Sequence, residues 1–351
     1  MFNSKIISDD INDILIDNNI SWDKLRNKVI LITGATGAIG YFIINVLGIL
    51  NEEYDFNVKI YAIGRNKDKG MQLSIIKGVT FITADIRNFQ YNFFNKINFI
   101  IHCAAITDSS KMLSTPIDVI DTELIGGKNI LDLAKNNEVD GMVYTSSMEV
   151  YGNLNLSEIV ETDMGYIDLK NPRNSYPQGK RMMECICNCY FSQYNIPINI
   201  ARLGMTFGAS MDFNKDKRVW AQFANCIYYH HPIILHTTGE SIRSFVYLAD
   251  AIKGIFLLLL YNNYGETYNI ATKYLRIKDL AELLALNFNI SVNIAPPEDI
   301  NNKGYLSELM LPLSSNKIQN IGWKPTITSI NEMFERTIEQ YNQFKTIQSS
   351  N

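Results

Sequence analysis

One stretch constrains this chain more than any other: LITGATGAIG, which sets Gly34, Gly37 and Gly40 at GxxGxxG spacing between an apolar run and a helical pattern. Residues 29–32 are a short buried strand by composition, and residues 38–50 carry the apolar spacing of a helix. A strand feeding a glycine turn that opens a helix is the context of a dinucleotide fingerprint. The turn needs Gly34, close approach of a pyrophosphate needs Gly37, and packing of helix on strand needs Gly40. The helix N-terminus, with Thr36, Ala38 and Ile39 beside the glycines, then faces an anion.

The rest of the chain repeats that rhythm. Short apolar strands are predicted at 59–63, 80–83, 99–103, 141–145 and 198–202, with helices at 117–136 and 176–194. Alternation of this kind predicts an α/β fold: a doubly wound parallel sheet, covered on both faces, with right-handed crossovers. After Leu203 the rhythm breaks and prolines gather (Pro296, Pro297, Pro312, Pro325), which predicts a smaller C-terminal substrate-binding domain. The expected division is a polar N-terminal extension at 1–28, a dinucleotide-binding domain at 29–203, and substrate-binding segments at 204–243 and 263–345. The strand-plus-helix pattern of 244–262 is expected to return to the first domain.

Composition excludes several classes. The 351 residues are 46% hydrophobic, enough for a large core, and the net charge is -4 with no basic stripe, which argues against nucleic acid as a partner. The longest apolar run, 255–260, is far short of a membrane span. Asp9 and Asp10 interrupt any leader-like pattern, so the chain reads as soluble and cytoplasmic. Cys103, Cys185, Cys187, Cys189 and Cys226 lack metal-ligand spacing and are expected as buried, reduced thiols. His230, His231 and His236 have no acidic cluster near them in sequence, so no metal site is expected.

Other cofactor positions follow from the predicted topology. Asp85 and Ile86, after the third strand, are placed near an adenine, and the small residues Cys103, Ala104 and Ala105 end the fourth strand. The second strand ends without the acid that usually holds the ribose of NAD. Arg65 stands there instead and leaves NADP open beside NAD. Proton chemistry is assigned to Tyr176 and Lys180, four apart and on one helix face. Pro177 puts Tyr176 at the helix start. A lysine ammonium nearby is expected to pull the tyrosine below its free value of about 10. Tyr176 and Lys180 also belong to the cofactor-binding set.

The segments TGATGAIG, ADI, HCAA, YTSSMEVYG, SYPQGKRMME and RSFVYLAD, spanning 29–250, together resemble an extended short-chain dehydrogenase/reductase of the NAD-dependent epimerase/dehydratase family. The run 173–184 is most similar to the UDP-glucuronate decarboxylases of that family. The resemblance implies that Ser147 is the catalytic hydroxyl, that Arg243 meets a substrate diphosphate, and that the chain forms a homodimer through helices 117–136 and 176–194. Arg218 is grouped with Arg243 and Met205 as substrate-binding.

Three positions depart from the pattern. Met148 stands where family dehydratases carry an acid and decarboxylases a serine, which disfavours both reactions and leaves Glu149 as a base. Met205 replaces an asparagine that binds a phosphate. Glu123 replaces an asparagine common in the helix before Gly126. The leading expectation is a sugar-nucleotide epimerase. Behind it stand an NADPH-dependent keto-sugar reductase, a UDP-glucuronate decarboxylase, and a non-enzymatic redox sensor or scaffold that has kept the fold.

Overall fold

The computed structural model describes residues 4–89, 95–295 and 309–349. In chain order the elements are α1 (Lys5–Leu15), β1 (Val29–Thr33), α2 (Ala38–Glu53), β2 (Lys59–Gly64), α3 (Lys67–Leu73), β3 (Val79–Thr83), β4 (Phe99–His102), α4 (Ser109–Ser114), α5 (Pro116–Asp121), α6 (Gly127–Asn137), β5 (Gly141–Ser147), α7 (Ser175–Tyr194), β6 (Ile198–Leu203), β7 (Met205–Phe207), α8 (Val219–Tyr228), β8 (Ile233–Leu235), β9 (Ile242–Tyr247), α9 (Leu248–Leu260), β10 (Thr267–Ile270), β11 (Lys273–Arg276), α10 (Ile277–Phe288), β12 (Val292–Ile294), α11 (Asn316–Asn320) and α12 (Ile330–Ser349).

Seven strands form one parallel sheet in the order β3-β2-β1-β4-β5-β6-β10. The order reverses between β1 and β4, and a ligand crevice in such sheets opens at the strand C-termini beside that reversal. β1 shows why the pattern reads as it does. All five of its residues are buried. Ile30 and Ile32 pack into a core with Phe42, Val46 and α9, while Val29 and Leu31 face a second core with Leu131, Met183 and Cys187. A strand covered on both faces must be apolar throughout.

One expectation is corrected, and two features go beyond the sequence pattern. Strand β9 does not enter the main sheet; it pairs with β7 and β11 in a three-stranded sheet. Within the segment 244–262 it is α9, all of whose residues are buried, that lies against the main sheet. The seventh strand is β10, short and polar enough to escape the strand pattern. The N-terminal segment is no free extension: Ile6, Ile7, Ile11 and Ile14 of α1 enter the main core, and Asp10 accepts from Tyr247 at 2.8 Å and pairs with Arg336 at 2.5 Å. Pro296 and Pro297 lie outside the described residues.

Candidate active site

At one end of the crevice the backbone does the shaping. Gly34 has φ +67°, and a Cβ there would lie 2.8 Å from the main chain of Cys103 and Ala104. A Cβ on Gly40 would lie 2.6 Å from the Gly34 carbonyl oxygen. Both positions therefore exclude any side chain, because the neighbours are backbone and cannot yield. Gly37 is the exposed N-cap of the 16-residue α2, whose first amides have no partner within the helix. The Thr33 hydroxyl accepts from Ala104 N at 3.2 Å and meets His102 Nδ1 at 2.6 Å, tying the ends of β1 and β4 together. Burial pushes His102 down to about 3, so the ring is neutral, and pushes the Cys103 thiol up to about 12. An uncharged floor, two Cβ-excluding glycines and a helix N-terminus fit a dinucleotide pyrophosphate.

The residues proposed around the adenine are distributed differently. Asp85 is engaged by Arg87 through contacts of 2.8–3.2 Å, and these hydrogen bonds hold its carboxyl below the ordinary value. Arg87 also pairs with Asp118 at 2.6 Å. Ile86 is buried, its side chain where a Cβ on Gly126 would have to go. Arg65 is exposed at the end of β2.

The residues expected to transfer protons converge from two elements, β5 and α7. Ser147 ends β5 and its hydroxyl accepts from Glu149 N at 3.2 Å. Tyr176 is the second residue of α7, near enough to Ser147 for its side chain to favour the ionised phenol. Lys180, one turn later, is 2% exposed. Its Nζ donates to the Thr145 carbonyl at 2.9 Å and lies 3.2 Å from Glu123 Oε2. Tyr176 is pushed above its ordinary value, first by burial and then by the charges of Glu123 and Glu149, against Ser147 and Arg173. That reverses the direction expected from Lys180 alone, because burial raises the phenol first and the Glu123 charge adds to it.

A cavity of about 1010 Å³ runs from Ile39, Cys103 and Ala105 past Ser147, Tyr176 and Lys180 to Arg173, Arg218 and Arg243. Glu149, expected as a free base, is not free: both of its oxygens accept from Arg173, at 3.0 and 3.1 Å. Arg173 itself escaped the sequence reading, although it stands three residues before Tyr176. Arg218 is occupied by Asp216 at 2.5–3.1 Å. Arg243 Nη1 donates to the Leu309 carbonyl at 2.9 Å, and burial pushes its guanidinium down to about 10. Met148 is buried and Met205 half-buried; both touch the cavity and neither offers a polar hydrogen. Of the cysteines only Cys187 is buried; Cys185 and Cys189 are exposed, contrary to expectation, and all five are unbridged. Among the described residues no group of His, Cys, Asp and Glu could hold a metal, and no helix is long and apolar enough to cross a membrane.

Residues 30–271 match the model of the NAD dependent epimerase/dehydratase family. The chain belongs to that family. Its cofactor class is therefore NAD, in keeping with the glycine cradle. Among relatives, the dTDP-D-glucose 4,6-dehydratase of Homo sapiens is 26% identical over 252 residues, 71% of this chain and 69% of that one. A putative UDP-glucose 4-epimerase of Methanocaldococcus jannaschii is 27% identical over 306 residues, 85% of this chain and 94% of that one. The crystal structure of a UDP-glucose 4-epimerase with UDP-glucose from Thermotoga maritima superposes with a TM-score of 0.75 at 18% identity, covering 90% of this chain and 99% of that one. With the UDP-glucuronic acid decarboxylase 1 of Xenopus tropicalis, 28% identical over 232 residues, the relatives' names carry three reactions.

Proposed function

We propose that this chain is a sugar-nucleotide epimerase that oxidises a ring hydroxyl and reduces the ketone from the opposite face. The observation that carries the reading is the pairing of a complete Ser147–Tyr176–Lys180 constellation with Met148 beside it. Elimination of a hydroxyl needs an acid to protonate the leaving group, and Met148 has no proton to give.

NAD, when bound, supplies the hydride acceptor and returns the hydride. Gly34, Gly37, Gly40, Thr36, Ala38 and Ile39 would hold its pyrophosphate, and Ala104 and Ala105 give it room to approach β4. Arg65 supports a contact at the adenosine end and keeps a 2′-phosphate open. Ser147 orients the sugar hydroxyl, and Tyr176 takes that proton and later gives one back to the ketone oxygen. Lys180 holds the phenol in place and anchors the cofactor side. Arg243 and Arg218 meet the diphosphate, with Met205 as an apolar wall. Arg173 and Glu149 act as a unit: the bidentate pair fixes an arginine at the cavity while lowering the availability of Glu149 as a base.

Chain purified without added cofactor should retain NAD by mass spectrometry and convert one member of a nucleotide-sugar panel to its epimer. Stoichiometric NADPH consumption would replace this reading with a keto-sugar reductase, and carbon dioxide release from UDP-glucuronate would replace it with a decarboxylase. Ile117, Ile125 and Met182, exposed on the helical stretch 116–137 and on α7, support the homodimer, which sedimentation velocity tests.

A further inference from the structure

Glu123 occupies a single π-helical turn, Thr122–Gly126, set between α5 and α6. Insertions of this type re-aim one side chain and recur at functional sites. Here the turn presses against α7, where a Cβ on Gly179 would come within 3.2 Å of Glu123 Cγ. Glu123 is 0% exposed. Its Oε2 lies 3.2 Å from Lys180 Nζ and accepts from the Tyr144 hydroxyl at 2.8 Å. Its Oε1 is buried with no hydrogen-bond partner among the described residues. A carboxylate buried this deeply persists only where a cation compensates it, and Lys180 is that cation.

We propose that Glu123 is a positioning residue for the Tyr176–Lys180 pair: it clamps the Lys180 ammonium against Thr145 and offsets its charge, so that Tyr176 faces a neutral ion pair rather than a lone cation. The proposal rests on the reading of Tyr176 as the proton-transfer group. Lys180 Nζ sits 4.6 Å from the Tyr144 ring centroid and 5.8 Å from that of Tyr176, close enough for its field to matter at both. The other charged or titratable groups are placed to leave this arrangement intact. On α7, Glu184 is taken by Arg202 at 2.7 Å, and Cys187 is a buried thiol pushed up by burial. His102 on β4 is neutral. Glu149 and Arg173, on the cavity side of Tyr176, compensate one another. The clamp tempers the pull of Lys180 toward the phenolate that takes the substrate proton and so eases the return of that proton to the ketone oxygen.

The test reads ionisation rather than turnover, so it decides the clamp even if no sugar nucleotide is converted. Full-length chain labelled with ¹³Cζ-tyrosine is titrated with saturating NAD⁺, and the Tyr176 line is assigned by its loss in Tyr176→Phe and the Tyr144 line by its loss in Tyr144→Phe. In Glu123→Gln the Tyr176 midpoint should fall by about 1 pH unit or more relative to the parent chain, because a neighbouring like charge is removed. Glu123→Asn should move it in the same direction and stands in if the glutamine variant does not fold. A Tyr176 midpoint that is unchanged or raised in a folded variant overturns the proposal.

Discussion

The two ends of the cavity are built on different principles. The end with the glycine turn is made by backbone: Gly34 and Gly40 exclude side chains, and the first amides of α2 have no partner within the helix. The substrate end is made by side chains held by other side chains, with Arg173 on Glu149 and Arg218 on Asp216. A backbone cradle is specified by a contiguous motif and tolerates little. A network of paired arginines can be changed one residue at a time without moving the main chain.

Three substitutions test this contrast, and a fourth stands apart from it. The largest effect is expected between the two ends: Tyr176→Phe should cut turnover by about 10²–10⁴-fold with little change in melting temperature, since it removes one proton-transfer group. At the cofactor end, Gly34→Ala should cost roughly 2–3 kcal/mol in a denaturation midpoint, from left-handed backbone strain plus a backbone clash. It should weaken NAD binding in a titration by the same cause. At the substrate end, Arg243→Gln should reduce kcat/KM by about tenfold, mainly through KM, as expected for one charged hydrogen bond. If Gly34→Ala were instead tolerated as well as Arg243→Gln, the contrast would fail.

The smallest effect lies away from both ends. Burial raises Asp10 to about 6 despite Arg336, from an ordinary value of 3.8. A carboxylate raised on folding holds its proton more tightly in the folded chain, so its contribution is fully present below about pH 4 and is lost as pH rises through about 6. The melting-temperature advantage of the parent over Asp10→Asn should therefore shrink between pH 4.5 and 7.5.

The sequence made the backbone-built end legible and the side-chain-built end largely illegible, for one physical reason. Gly34 to Gly40, Tyr176 and Lys180 act within one turn or one helix, so spacing alone predicts their geometry. Arg173 meets Glu149 across 24 residues, and Arg243 donates to Leu309 across 66. No local period encodes either contact. Glu123 shows the limit best: the departure was visible, but its partner Lys180 lies on another helix and became readable only once the π-turn placed the two together. Strand β10 was missed for a related cause, since Thr267 and Asn269 interrupt an apolar pattern that β6 completes from the neighbouring strand.

Where the hydride goes separates an epimerase from a reductase most directly. The measurement is turnover of sugar nucleotides deuterated at the ring carbon that is oxidised, with the chain's own retained NAD and none added. The predicted result is an epimer that keeps the deuterium, with no net change in reduced nicotinamide. A product formed with one equivalent of NADH or NADPH made or consumed would contradict it.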